Sequence, residues 1–266
     1  MAKTIAPYPG HTQFVFSTPL YSKFEISDEQ VEEIFVHGVT IEGYCTKCEK
    51  DRVFKNKGDS RAALISGLSG TKIKSEETVV FSCAFDPQHK IYVLPILDNS
   101  AIQKCGQLPS YAELLLAEDA DLIKELDKKD RVEYAKAVGL AAHDAGIGAY
   151  AYLRRIFENL VYSQYEANKA SNSWAEADFY KMRMSEKIQF LKNYLPPLLV
   201  QNSAAYGILS DGLHNLTEDD CLSFFPILRS GTLLILQQAR EMKEQKKLEQ
   251  QFTASINSKP KPKGSE

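Results

Sequence analysis

The chain has no long hydrophobic run. Its longest apolar stretches, 195–200 and 232–236, fall far short of the ~20 residues a membrane-crossing helix needs. The opening segment MAKTIAPYPGHTQF carries neither an apolar core nor a small-residue cleavage site, so no secretory leader is expected. These absences predict a soluble, cytoplasmic protein without membrane contact. An excess of one charge is missing too: the formal net charge is −3 over 266 residues. Nucleic acid would therefore have to be met by a local basic patch, not by a global field. No P-loop, GxGxxG or nucleophile elbow occurs, which leaves nucleotide hydrolysis, dinucleotide redox chemistry and α/β-hydrolase chemistry without support. No repeat of solenoid period is visible.

What is present is ordinary globular material, 44% hydrophobic and 25% charged, enough for a sizeable core. The length suits one large domain or two ordinary ones, and the order of the residues favours two. β-branched and aromatic residues dominate 39–44, 53–54, 78–81 and 91–96, which read as short strands. Before them, Ser27 followed by Gln30 is a capping-box pattern that predicts a short helix to about residue 36. The Gly-, Ser- and Lys-rich stretch 55–75 reads as an exposed excursion from a hairpin. After Pro109 helix formers take over. Ser110 with Glu113 opens one helix and Asp130 the next. A long small-residue helix is expected over 135–163, where alanines and glycines permit a close helix neighbour, and others over 175–194, 198–213 and 217–247. Pro196-Pro197 separates two of these, because proline lacks a donor and restricts its predecessor.

Five cysteines in a chain read as intracellular suggest thiols or metal ligands more than disulfides. Cys45-Thr-Lys-Cys48 lies between two strand-like runs, and Cys83 and His89 bracket a second turn-like segment. Three cysteines and one histidine suit tetrahedral zinc in a closed, structural site. A redox CxxC would need a βαβ context that is not visible here. His37 is the alternative fourth ligand. Cys105 and Cys221 stand alone and read as small buried hydrophobes. The predicted fold class is α+β: a small N-terminal β-rich zinc-ribbon module over 1–108, a larger all-α helical-bundle domain over 109–252, and a disordered basic tail over 253–266.

In the helical part, Leu153-Arg-Arg-Ile-Phe-Glu158 is followed about fifty residues later by Leu209-Ser-Asp-Gly-Leu-His-Asn-Leu216. This pattern resembles the HEPN superfamily of bacterial helical domains. The run from Cys45–Cys48 through GQLPS (106–110), GLAAH (139–143) and GIG (146–148) to these two segments resembles uncharacterised bacterial zinc-ribbon proteins with such a C-terminal domain. The resemblance covers roughly 40–240. It implies a helical bundle, often dimeric, of a kind found among ribonuclease toxins and antiviral defence effectors. His214 matches the catalytic histidine, but Leu209 and Ser210 stand where the family's arginine and its polar neighbour would be, so the donor that stabilises the developing phosphorane charge is absent from its usual place.

Two functions follow as expectations. One is a zinc-binding regulatory or interaction protein, a homodimer through its helical domain, whose lysines and arginines around the first module (Lys47, Lys50, Arg52, Lys55, Lys57, Arg61, Lys72, Lys74) meet RNA, another nucleic acid or a protein. The other is a metal-independent ribonuclease in which His214 is acid or base, Arg154 or Arg155 clamps phosphate, and Glu158 shares their helix. A plain ion pair between Arg154 and Glu158, four apart on one face, is the structural alternative. His143 reads as a packed or hydrogen-bonded residue beside Asp144.

Overall fold

The computed structural model describes residues 5–35, 39–56, 78–98, 100–203 and 216–257. Seven strands occupy the first part: β1 (Ala6–Pro7), β2 (Lys23–Glu25), β3 (Thr40–Cys45), β4 (Lys50–Asn56), β5 (Val79–Cys83), β6 (Lys90–Asp98) and β7 (Ala101–Leu108). They form one curled half-barrel sheet in the order β1-β2-β7-β6-β5-β4-β3. Only β1 and β2 run parallel; every other pairing is antiparallel. Period-two alternation sets one face inward: Ile41 and Cys45, Phe54, Val79 with Phe81 and Cys83, Ile91 with Val93 and Leu97, and Ile102 are all buried. Two short helices, α1 (His11–Phe16) and α2 (Asp28–Phe35), supply Phe14, Val15, Val31 and Ile34 to the same core. The expected capping box opens α2. The Ser27 N–H donates to Gln30 Oε1 at 3.1 Å, and the Gln30 N–H donates to Ser27 Oγ at 3.3 Å.

This arrangement corrects the small zinc-ribbon module predicted for 1–108. A ribbon is a few strands too small to bury a core of their own, whereas here seven strands and two helices enclose one continuous apolar core. Strands β1, β2 and β7 were not predicted. In β7 a bulge removes the signal: Leu94 faces Gly106 but Pro95 faces Lys104, leaving Cys105 as the extra residue. Proline cannot donate to the ladder, and an irregularity beside it is the natural accommodation. The bulge also shifts the parity of β7. Lys104 and Gln107 therefore meet on one side of the sheet, where the lysine Nζ donates to Gln107 Oε1 at 2.9 Å.

From Tyr111 onward the chain is helical: α3 (Tyr111–Asp119), a 3-10 turn (Ile123–Glu125), α4 (Lys128–Ala142), α5 (Gly146–Asn172), α6 (Glu176–Lys181), α7 (Met184–Phe190), α8 (Pro197–Gln201) and α9 (Glu218–Asn257). The Ser110–Glu113 capping box opens α3 as expected. The single helix expected over 135–163 is two, because the chain turns at His143 and passes through a left-handed Asp144 (φ 63°). His143 caps α4 from an exposed position near the Tyr21 ring rather than packing inside. The small residues find their close neighbours within the chain. Ala137, Ala141 and Ala149 are buried, and Gly146 lies against the start of α9, where an added Cβ would stand 2.5 Å from Glu218 O. The helix expected over 175–194 is the pair α6 and α7, α8 is the described part of 198–213, and α9 runs on to Asn257 instead of ending near residue 247. Its final turns, 241–257, are exposed throughout. Among the described residues no helix is long and apolar enough to cross a membrane. The segment Leu20–Tyr21 ties the two parts together: the Leu20 N–H donates to Ala142 O of α4 at 3.0 Å and the Tyr21 N–H to Lys104 O of β7 at 2.9 Å.

Candidate metal centre

Cys45 ends β3, and Cys48 lies in the four-residue turn that leads into β4, where Cys45 faces Lys50. The turn closes at Glu49, which adopts φ 52° and donates its N–H to Cys45 O at 2.8 Å. The second turn runs from Cys83, the end of β5, to His89, just before β6. Its ends are tied by the Cys83 N–H to His89 O, at 2.9 Å. Strands β4 and β5 are antiparallel with Phe54 opposite Cys83, so the start of one and the end of the other share an edge of the sheet. Pairing of strands far apart in sequence thus sets the two turns side by side.

The four side chains converge. His89 Nδ1 lies 3.3 Å from Cys48 Sγ and 3.7 Å from Cys45 Sγ, and Cys48 Sγ lies 4.0 Å from Cys83 Sγ. All four ligand atoms fall within 4.8 Å of one another. Ordinary zinc bond lengths in a tetrahedron place thiolates about 3.8 Å apart, and thiolate and imidazole nitrogen about 3.6 Å apart. The cluster is therefore already near the dimensions of a bound ion. The other imidazole nitrogen, Nε2, lies 3.2 Å from Asp86 Oδ2, and Asp86 Oδ1 accepts the Gln88 N–H at 2.9 Å. A carboxylate behind a histidine in this way fixes the tautomer that leaves Nδ1 free to ligate.

The backbone prepares the sulfurs as well. Burial pushes the Cys45 thiol above its ordinary value, against N–H groups of Cys48 and Lys47 that favour the thiolate. Cys83 is also buried, yet the N–H groups of Asp86 and Phe85 and the neighbouring thiols outweigh burial and hold it below its ordinary value. For Cys105 and Cys221 burial dominates and pushes both thiols up; Cys221 is buried as expected, whereas Cys105, at the β7 bulge, is only half-buried.

All four predicted metal residues thus meet, and His37 lies outside the described residues. The predicted catalytic set is not seen to assemble. Arg154 Nε pairs with Glu158 Oε1 at 3.0 Å and Arg155 Nη1 with Glu133 Oε1 at 3.0 Å, while His214 is outside the described residues, as are Lys57, Arg61, Lys72 and Lys74. Sequence reasoning missed Asp86, although an Asp three residues before a candidate histidine in a turn was a usable signal. It also missed a cleft of about 710 Å³ beside the metal cluster. Both ligand-bearing turns line it, with Phe54 and Ile91 of the sheet and Leu114 and Ala117 of α3. The chain matches no protein-family model, no curated protein and no solved structure.

Proposed function

We propose that this chain is a zinc-held, non-catalytic interaction protein in which the ion joins two turns of the sheet and so shapes a binding edge. The observation that carries the reading is the convergence of Cys45, Cys48, Cys83 and His89 within tetrahedral reach. Sulfur-rich donors with one imidazole favour zinc over magnesium or calcium, which take oxygen ligands. Four protein ligands fill a tetrahedral ion, leaving no position for a substrate or an activated water. The ion's part is then structural, and its binding energy contributes to the order of the sheet edge.

The helical half is read as the part that presents or regulates this edge. It serves as a helical scaffold without ribonuclease chemistry. Arg154 and Arg155, the two candidates for a phosphate clamp, are each engaged by a glutamate.

Elemental analysis of purified protein tests the reading. One zinc per chain is expected, and Cys45→Ser should lower both metal content and thermal stability. Metal-free protein that is fully folded, together with a Cys45→Ser variant of unchanged stability, would overturn it.

A further inference from the structure

The cleft beside the metal cluster has a chemistry of its own. Its floor is apolar, from Phe54, Ile91 and Leu114, and its wall carries two tyrosines, Tyr44 and the partly exposed Tyr92. Lys47 enters from the first ligand turn and Lys90 from the end of the second. Both are exposed, and neither has an ion-pair partner among the described residues. One carboxylate, Glu113, lines the cleft and accepts the Ser110 N–H through Oε2 at 2.7 Å; of those nearby, Asp86 faces His89 and Glu118 pairs with Arg229 at 2.6 Å. Glu49 and Asp51 lie close enough to act on Tyr44 but do not line the cleft. Just outside, on the second ligand turn, Phe85 is 73% exposed with the Arg52 guanidinium 4.8 Å over its ring.

We infer that this edge binds single-stranded nucleic acid: the cleft takes one unstacked base against Tyr44, Tyr92 and the apolar floor, and Lys47 and Lys90 meet the flanking phosphates. The inference rests on the zinc-held reading above, because both lysines stand on or beside turns that the ion would fix. A volume of this size suits one nucleotide and not a duplex. Bases are sequence-tolerant stacking partners for exposed rings, and cations beside such rings follow the backbone. Phe85 under Arg52 supplies a second platform for the next base. An extended peptide, the rival occupant, would most simply add to the free edge of β3. That edge is obstructed by α1: Thr12 Oγ1 accepts the Glu42 N–H at 3.4 Å, and the Phe16 ring lies against Gly43.

Fluorescence anisotropy with the full, metal-loaded chain tests this, using labelled single strands of about ten nucleotides, a length within known site sizes for such grooves. Three competitors run alongside: a duplex of the same sequence, a free mononucleotide and an acidic peptide. The expected result is single-strand binding that weakens with salt, with a log–log slope of about −1.4 for two phosphate contacts. Lys47→Glu with Lys90→Glu should weaken binding at least about tenfold, and Tyr92→Ala about tenfold. Zinc content and melting temperature should be unchanged in both variants. The mononucleotide should compete only weakly and the duplex and peptide not at all. Wild-type protein that carries zinc yet binds no strand overturns the cleft assignment and leaves the metal reading intact. Equal binding by the charge-reversed variant, or equal competition by the acidic peptide, overturns it as well. A preparation that binds the strand without metal would instead count against the zinc-held reading.

Discussion

Asp86 stands 3.2 Å behind His89 Nε2, so a carboxylate and a cluster of three cysteine sulfurs sit at opposite ends of one imidazole. For an ion held in the cluster, the carboxylate would make the histidine a more basic and better-aimed ligand. Removing such a partner typically costs about 10- to 100-fold in metal affinity. Asp86→Ala should therefore weaken zinc binding by that factor in competition with a chromophoric chelator, while His89→Ala weakens it further. Unchanged affinity in Asp86→Ala would show that the carboxylate only closes the turn through the Gln88 N–H.

A second relationship joins distant parts of the helical half. Arg229 of α9 donates from Nε to Asp119 Oδ2 at 2.8 Å, and Tyr134 Oη donates to the same oxygen at 2.6 Å. Asp119 is buried, and its attraction and hydrogen bonds hold the guanidinium firmly charged despite burial. Breaking a buried pair from one side leaves an uncompensated charge, which costs about 3–5 kcal/mol. Asp119→Ala should lose about 3 kcal/mol in denaturant unfolding, the lower end because Glu118 still reaches Arg229. Tyr134→Phe should lose about 1 kcal/mol, the scale of one hydrogen bond. A loss in Asp119→Ala no larger than that in Tyr134→Phe would place the stability of this junction in its apolar contacts instead.

Two glycines of the helical half should respond to alanine with opposite signs. At Gly146 a Cβ would meet Glu218 O at 2.5 Å and Leu222 N at 2.9 Å, both backbone atoms that cannot rotate away. At Gly139, inside α4, nothing lies within 4 Å. Gly146→Ala should destabilise by about 1–3 kcal/mol through overpacking, and Gly139→Ala should stabilise by about 0.5–1 kcal/mol by restricting the unfolded chain. Thermal melts of the two variants decide the matter, and a neutral or stabilising Gly146→Ala would mean that the α5–α9 approach relaxes freely.

These residues also show what a sequence can reveal. The capping pairs Ser27–Gln30 and Ser110–Glu113 were readable because a cap is satisfied within one turn of chain. The Cys45–Cys48 and Cys83–His89 pairs were readable because structural zinc sites are typically built from closely spaced Cys and His pairs. The size of the sheet was not. β1 is two residues long and gains its place by pairing with β2, while the alternation in β7 is broken by Cys105 and masked by a buried lysine. Hence the four residues that converge were legible in the sequence, while the module around them was predicted too small. The cleft was invisible for a related reason, since Lys47, Lys90 and Leu114 come together only through strand pairing and the docking of α3.

That buried lysine yields the last prediction. Lys104 is fully buried, and its Nζ donates to Phe14 O at 2.9 Å, Val15 O at 3.3 Å and Gln107 Oε1. The first two acceptors belong to the last turn of α1, whose carbonyls lack helical partners. All three are neutral, and the rings of Phe14 and Tyr111 lie within 6 Å, so no carboxylate offsets the loss of hydration. Burial accordingly pulls the ammonium from its ordinary value near 10.5 down to about 7. Tyr111, the titratable ring beside it, is itself pushed up by burial and stays neutral across this range. Below about pH 7 Lys104 is protonated in both folded and unfolded chains, so it adds no pH dependence there. Between about 7 and 10.5 the unfolded chain binds more protons, and stability must rise with pH, by up to about 1.4 kcal/mol per unit from this group alone. Lys104→Met keeps the apolar stem and removes the titration. Subtracting the variant's unfolding free energy from that of the wild type at each pH from 6 to 9.5 isolates the effect. The difference should be flat at the acid end and climb in favour of the wild type above about pH 7. Parallel curves would show that Lys104 keeps its ordinary affinity for the proton, with water or a carboxylate reaching it in solution.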